Sequence, residues 1–299
     1  MPDWTAELVV DEELARRLLG QFPELEVESV RPLAEGWDYG IWLVNETWAF
    51  RFPRREMVVP GVTREIAVLP ELAPLLPIPV PAPEFVGRPA EGFPWPFFGS
   101  RLLPGRELGE ARLDDEARNE LGRSLARFLR HLHEVDLALE LPGDANRRAD
   151  MSARVPRTRR QLGELEALEI WSRDAAVDRV LDQAERLPPS RETTAVVHGD
   201  LHFRQILVDE NAAPTGVIDW VDVCRSDPAI DLSMYWSYLP PGGRELFLSE
   251  YGPVSQEQLL RARVIALSLS AALAHYGHRE GFPAVKREAM RGLEQAAAG

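Results

Sequence analysis

Apolar positions along the chain change their period several times. In residues 11–20, DEELARRLLG, they recur at helical spacing behind an Asp and ahead of a Gly, which predicts a short helix. From Leu25 the period shortens. LEVESVRPL, GIWLV and TWAFRF are short β-rich runs, the last two joined tightly at Asn45-Glu46, and they predict an antiparallel meander. Helical spacing returns in REMVVPGVTREIAVLPELAPLL, with Ile66, Leu69 and Leu72 near one face. The prolines of PIPVPAPEFVGRPAEGFPWPFFGSRLLPG then forbid a helix and favour extended chain, with a strand from Phe97 to Leu103 ended by Pro104-Gly105.

Beyond Gly105 the pattern is mainly helical. Leu121, Leu125, Phe128, Leu129 and Leu132 form one stripe behind an Asp, residues 156–187 give one or two more helices, and the chain from Asp231 on is helical again. Short runs AVV, QILVD and GVIDW interrupt it as a small β insertion. The expected organisation is an α+β chain: a β-rich N-terminal lobe with its connector over 1–103, and a larger helical lobe over 104–299. A polar cluster on the insertion would face the connector in an enzyme cleft.

Composition narrows this picture. The 299 residues, 45% hydrophobic and 27% charged, suit a globular chain with a sizeable core. A net charge of -14 argues against nucleic acid and anionic membrane as partners and is compatible with cationic ligands. The single cysteine, Cys224, excludes an intrachain disulfide and a cysteine metal site. MPDWTAELVVDEEL lacks the basic region and apolar run of a signal peptide, and the most apolar stretch, RARVIALSLSAALAHYG, reads as a core helix. A cytoplasmic location is expected.

The chemistry concentrates in residues 196–220, VVHGDLHFRQILVDENAAPTGVIDW. Polar residues at the ends of apolar strands allow a metal site on His198 and His202, a phosphoryl-transfer site on the aspartates, or a structural network. The histidines are four apart, but on strand and loop rather than helix, and no HExxH pattern occurs. Phosphoryl transfer needs a carboxylate at the attacking hydroxyl, oxygen ligands for magnesium and a cation on the phosphates. Asp200 is a candidate base, Gln205 offers an amide oxygen, and Asp219 ends the next strand with a carboxylate. H-G-D-L-H-F-R-Q followed by I-D-W has the order and spacing of the protein-kinase catalytic and metal motifs.

HGDLHFRQILVD with GVIDW and DPAIDLS resembles the aminoglycoside phosphotransferase family, which includes macrolide and choline-type small-molecule kinases, from about Leu33 to the final helices. The resemblance implies a bilobal protein-kinase-like fold. It implies Asp200 as catalytic aspartate, Asp219 and Gln205 as Mg²⁺ ligands, with Gln205 standing where the family has Asn, and Asp231 as a brace for the catalytic loop. In TWAFRF, Ala49 and Arg51 share a strand face as the small residue and cation of V-A-I-K do, so Arg51 would hold phosphates. Glu65 matches the family's ion-pair partner of that cation, with Glu56 and Glu71 as rivals. AEGWDYGIW, with Gly36, resembles the nucleotide-covering loop, and SRLLPG resembles the hinge, where backbone groups of Arg101 and Leu103 would meet the purine.

The expected activity is transfer of the γ-phosphoryl of ATP or GTP to the hydroxyl of a small molecule, first an aminoglycoside- or macrolide-type antibiotic, with choline-, homoserine- or sugar-type acceptors as alternatives. Asp150, Glu164, Glu166, Glu169, Asp227 and the GDAN loop could meet a cationic amino sugar. Two other classes stay open: a nucleotide-binding pseudokinase, suggested by Gln205 and Arg51, and a histidine metal hydrolase. Only eleven residues separate Asp219 from Asp231, too few for a protein kinase's activation loop.

Overall fold

The computed structural model describes residues 5–190 and 195–298; residues 1–4, the start of the stretch read for a leader, lie outside it. Helix α1 (Glu12–Leu19) begins where the Asp11 carboxylate accepts the Leu14 N–H at 2.8 Å, and it buries Ala15, Leu18 and Leu19. Strands β1 (Val30–Glu35), β2 (Tyr39–Val44) and β3 (Trp48–Pro53) form the expected meander. Asn45 and Glu46 turn it with φ of 52° and 51°, the left-handed pair a two-residue hairpin requires. After helix α2 (Val59–Leu72), strands β4 (Pro83–Gly87) and β5 (Phe97–Arg101) complete a five-stranded antiparallel sheet in the order β1-β2-β3-β5-β4. The strand read from Leu25 starts only at Val30, and the one read to Leu103 ends at Arg101.

Side-chain alternation divides this sheet. Trp48, Phe50 and Phe52 pack with Phe22, Phe85 and Phe97 against α1 in one aromatic core. Ala49 and Arg51 take the other face, where Tyr39 and Phe98 join Val58 and Val62.

The rest of the chain is mainly helical. Strand β6 (Arg106–Glu107) precedes helices α3 (Asp115–Glu134), α4 (Met151–Ala167) and α5 (Ala175–Ala184), each helix opened by an aspartate cap. Strands β7 (Ala195–Val197), β8 (Ile206–Val208), β9 (Pro214–Val217) and β10 (Cys224–Ser226) make the β insertion: β6-β8-β9 form one small sheet and β10 pairs with β7. Helices α6 (Ser233–Ser237), α7 (Pro241–Tyr251), α8 (Gln256–Arg279) and α9 (Pro283–Ala298) follow. By length and composition α8 is the one helix among the described residues apolar enough to cross a membrane, yet 61% of that window is buried inside the protein.

The chain divides into two compact units. One holds the chain up to Pro74, Pro79–Leu103 and Asp219–Val221; the other holds Leu75–Ile78, Pro104–Ile218 and the chain from Asp222. This is the α+β, two-lobed class the alternating periods predict.

Candidate active site

The second unit carries the loop that follows β7. His198, Gly199 and Asp200 leave the strand in a turn that needs φ of +91° at Gly199. A Cβ there would sit 2.4 Å from the Asp222 carbonyl oxygen, so only glycine fits. Asp231 pins the turn: its carboxylate accepts the His198 N–H at 2.8 Å and the Gly199 N–H at 3.1 Å. Its third partner is His133 Nε2 at 3.2 Å, while His133 Nδ1 lies 2.7 Å from the Tyr251 hydroxyl. Because a carboxylate only accepts, His133 Nε2 is the donor to Asp231. Burial would raise the pKa of the fully buried Asp231; its hydrogen bond to His133 and the charges of His133 and His198 outweigh that and hold it below the ordinary value. The expected brace is therefore present.

Asp200 keeps 38% of its side chain exposed at the tip of this loop. His202 Nε2 is 3.8 Å from its carboxylate. His202 is buried, and burial first, then the charges of Arg204 and His198, hold its pKa well below the usual value, so it is a neutral imidazole. Its Nδ1 accepts the Arg204 N–H at 3.2 Å, which leaves the proton on Nε2, on the side of Asp200. Gln205 is buried just before β8, where its backbone carbonyl accepts the Ile218 N–H at 2.8 Å and closes the β8-β9 hairpin. His198 Nε2 reaches the Ile218 carbonyl at 3.0 Å. Among the described residues no three of His, Cys, Asp and Glu converge as a metal cage.

A cavity of about 170 Å³ opens beside Asp200 within this unit. Arg148, Arg154 and Arg157 line it, with Ile230, Ile265 and Leu269 as an apolar wall. Arg148 is bound to Asp144 and Asp222, both at 2.8 Å. Burial would lower its pKa, but the charges of Asp222, Asp200 and Asp144 outweigh burial and raise it. The acidic residues considered for a cationic acceptor lie elsewhere. Asp150 caps α4 and pairs with Arg147, Asp227 is buried near Arg261, and Glu164, Glu166 and Glu169 are exposed. Of the GDAN loop, Asn146 lines the cavity.

The first unit carries a second constellation. Arg51, 8% exposed, donates to the Ser100 hydroxyl at 2.8 Å and lies over the Phe98 ring at 5.5 Å, because β3 pairs with β5 in the register Ala49–Ser100. Glu65, fully buried on α2, accepts the Tyr39 hydroxyl and the Trp220 N–H, the latter at 2.9 Å. The expected Arg51–Glu65 ion pair does not form as a direct contact. Their charges act on each other, but Tyr39 and Trp220 occupy the carboxylate and Ser100 a guanidinium nitrogen. Burial first, then the charge of Asp219, pushes Glu65 up to about 7 against the pull of Tyr39, Arg51 and the Trp220 N–H.

The segment Asp219–Val221 is fastened to α2 in this unit. Arg64 donates to the Val221 carbonyl at 2.7 Å, and a Cβ at Gly61 would come within 2.8 Å of the same oxygen. Asp219 itself adopts a left-handed φ of 69°, and the wholly buried Trp220 anchors it. Gly36 sits in the exposed β1–β2 turn, its N–H donating to the Tyr39 carbonyl at 2.9 Å. Just beyond the end of β5, the Leu102 N–H donates to the Thr47 carbonyl at 2.8 Å. The Arg101 side chain stacks on Trp48 at 4.7 Å.

Tyr39, Ser100, His133, Arg148 and Arg154 escape the sequence reading. Tyr39 and Ser100 depend on strand register, and His133 lies 98 positions from Asp231.

Comparison with known proteins follows this geometry. A profile of the phosphotransferase enzyme family matches residues 29–263. An uncharacterized protein of Bacillus subtilis (strain 168), YcbJ, is 43% identical over 42 residues, which span 14% of this chain and 14% of that protein's length. Among solved structures, the GDP and kanamycin complex of APH(2″)-IIIa superposes with a TM-score of 0.67 at 24% identity, covering 96% of this chain and 99% of that one. The apoenzyme of macrolide 2′-phosphotransferase MphH from Brachybacterium faecium gives 0.59 at 22% identity over 93% and 96%. At such identities the structures speak for a shared kinase-like fold.

Proposed function

The chain belongs to the phosphotransferase enzyme family, kinases that place a phosphoryl group on a hydroxyl, and from that premise we propose that it moves the γ-phosphoryl of ATP or GTP to a small-molecule alcohol with Asp200 as the base. The observation that carries this reading is the second-unit loop: a half-exposed carboxylate at its tip, its backbone pinned by Asp231, beside a cavity large enough for a substrate. Asp200 would orient the acceptor hydroxyl and take its proton as the bond to phosphorus forms. Such transfer is governed by positioning and charge neutralisation, which rewards a loop held by buried pins.

Arg51, aimed by Ser100 and backed by the Phe98 ring, would hold donor phosphates. Glu65 and Ala49 support that face, Gly36 belongs to the covering turn, and the backbone of Arg101 and Leu103 would meet the base. Gln205 and Asp219 would hold Mg²⁺. Their donors are an amide oxygen and a carboxylate, the hard oxygens this ion takes, so the donor chemistry fits. An ion held by these two residues would supply charge neutralisation at the donor phosphates. Similar proteins have been solved as complexes with GDP, kanamycin or gentamicin. An antibiotic acceptor here rests on that likeness.

The test is magnesium-dependent nucleotide consumption with ATP and GTP in parallel, in wild type, Asp200→Asn and Asp219→Ala. Acceptor-stimulated turnover should fall by about three orders of magnitude or more in both variants. Nucleotide binding should persist in Asp200→Asn. Turnover unchanged in Asp200→Asn would sink the assignment of the base. Tight magnesium-dependent binding with no turnover for any acceptor would favour the pseudokinase.

A further inference from the structure

The cavity beside Asp200 has the wrong charge for a polycation. Its charged walls are three arginines, and Asp200 is the one carboxylate among the described lining residues. The guanidinium of Arg148 is occupied by Asp144 and Asp222. Arg154 is different. It is 8% exposed, its Nε donates to the Arg148 carbonyl at 3.2 Å and Nη1 to the Ser268 hydroxyl at 3.4 Å, both neutral acceptors. Among the described residues the ion pairs at this cavity belong to Arg148, and the hydrogen bonds of the Arg154 guanidinium go to neutral oxygens. Burial first, then repulsion from Arg157 and Arg148, brings the Arg154 pKa down to about 10. A buried cation that feels Asp144 and Asp200 only at a distance, with no carboxylate in contact, is stabilised by an arriving anion and made worse by an arriving ammonium.

The placement is built into the helix. Arg154, Arg157 and Gln161 stand at i, i+3 and i+7 on α4, so one face presents them to the cavity. Ser268 on α8 accepts from Arg154 and donates to the Gln161 amide oxygen at 2.7 Å, which fixes the guanidinium. Ile265 and Leu269 from α8 supply an apolar wall for a short carbon skeleton. The cavity of about 170 Å³ is well below the 300–1,000 Å³ typical of sites that take drug-sized ligands, so a compact acceptor fits it.

We propose that the acceptor is a compact anionic alcohol, a hydroxyl compound bearing a carboxylate or phosphate whose anionic end is bound by Arg154 and Arg157 while its hydroxyl meets Asp200. The proposal rests on the kinase reading above. In the step, the hydroxyl oxygen forms the new bond to the γ-phosphorus, the bond from that phosphorus to the β-phosphate oxygen breaks, the hydroxyl proton passes to Asp200, and nucleoside diphosphate leaves.

Acceptors on one three-carbon frame test it: glycerate and glycerol 3-phosphate as anions, glycerol as the neutral compound, 3-aminopropane-1,2-diol as the cation, with kanamycin alongside. Turnover is read with magnesium and nucleotide, and glycerate binding by calorimetry. The two anions separate carboxylate from phosphate. Wild type should favour an anion over glycerol and over both cations. Arg154→Gln should raise that anion's KM about 10- to 100-fold, the range for losing a hydrogen bond to a charged group. Arg157→Glu should shift preference toward the aminodiol, which a merely structural arginine would not do. Preference for a cation, absence of any anion binding or stimulation, or an equal fall in kcat for every acceptor in both variants would overturn the proposal. Arginine-dependent glycerate binding without nucleotide turnover would instead retain the anion site and sink the kinase reading.

Discussion

Asp231→Asn isolates the brace behind the catalytic loop. The side chain keeps its shape and loses its charge. In the wild type, one oxygen accepts from His198 N at 2.8 Å and His133 Nε2 at 3.2 Å, and the other accepts from Gly199 N at 3.1 Å. An asparagine has one acceptor for these three donors. With its oxygen in the first position, its amide group faces the Gly199 N–H, leaving a buried donor against a donor. A hydrogen bond to a charged group is worth about 1.5–3 kcal/mol, and the surviving bonds weaken once the charge is gone. The expected loss is about 3–5 kcal/mol, the range for breaking a buried charged network. Urea denaturation followed by circular dichroism measures it. Because a shift of about 1 Å at the reacting atoms can cost about a hundredfold in rate, kcat should fall by that order even where the variant is fully folded. His133→Leu removes one contact and leaves both backbone pins, so it should lose less of each. An Asp231→Asn protein with wild-type midpoint and turnover, or His133→Leu as damaging as Asp231→Asn, would refute the bracing argument.

Gly199→Ala should reduce acceptor-stimulated kcat by about a hundredfold or more, because φ of +91° and a Cβ 2.4 Å from the Asp222 carbonyl require the loop to move; unchanged steady-state turnover would show that the turn tolerates displacement. Glu65→Gln addresses pH. With its folded pKa raised from 4.5 to about 7, Glu65 keeps a proton in the folded protein that the unfolded chain has lost, so stability falls as pH rises through that window and is level above it. The difference in urea stability between wild type and variant, measured without magnesium, should move against the wild type by up to about 3 kcal/mol between about pH 5 and about pH 8. A difference that does not vary with pH would remove Glu65 as the titrating group.

What the sequence discloses follows the distance over which each feature is decided. Asn45-Glu46 announces its hairpin because the turn conformation is local. The Trp48, Phe50 and Phe52 alternation separates the aromatic core from the Arg51 face within one strand. HGDLH, Gln205 and the IDW segment lie within 23 residues of one another, so their order and spacing survive as a motif. Features built by long-range contact do not. The Ser100 partner of Arg51 depends on how β3 registers against β5, and the missing Arg51–Glu65 pair depends on Tyr39 arriving from β2. α4 is readable as a helix, but which of its faces lines a cavity depends on packing against α8. Strand β10, three residues long, carries no periodicity to detect and is defined by its pairing with β7.

The acceptor's charge illustrates the same point for electrostatics. A net charge of -14 suggests affinity for cations, yet net charge acts through solvent and is screened within about 8 Å at physiological ionic strength. Exposed acidic residues such as Glu164 and Glu166 on α4 therefore affect how fast a charged acceptor approaches, more than how well it is held. Arg154 sits inside the protein, where screening is weak and the charge is costly to leave uncompensated. Selectivity is then set by the turn of helix that carries Arg154 and Arg157. It follows that altering exposed acidic residues on the outer face of α4 should change the rate of acceptor association, and its salt dependence, while leaving the preference for an anion in place. The two effects are physically separable because one operates through water and the other inside the cavity.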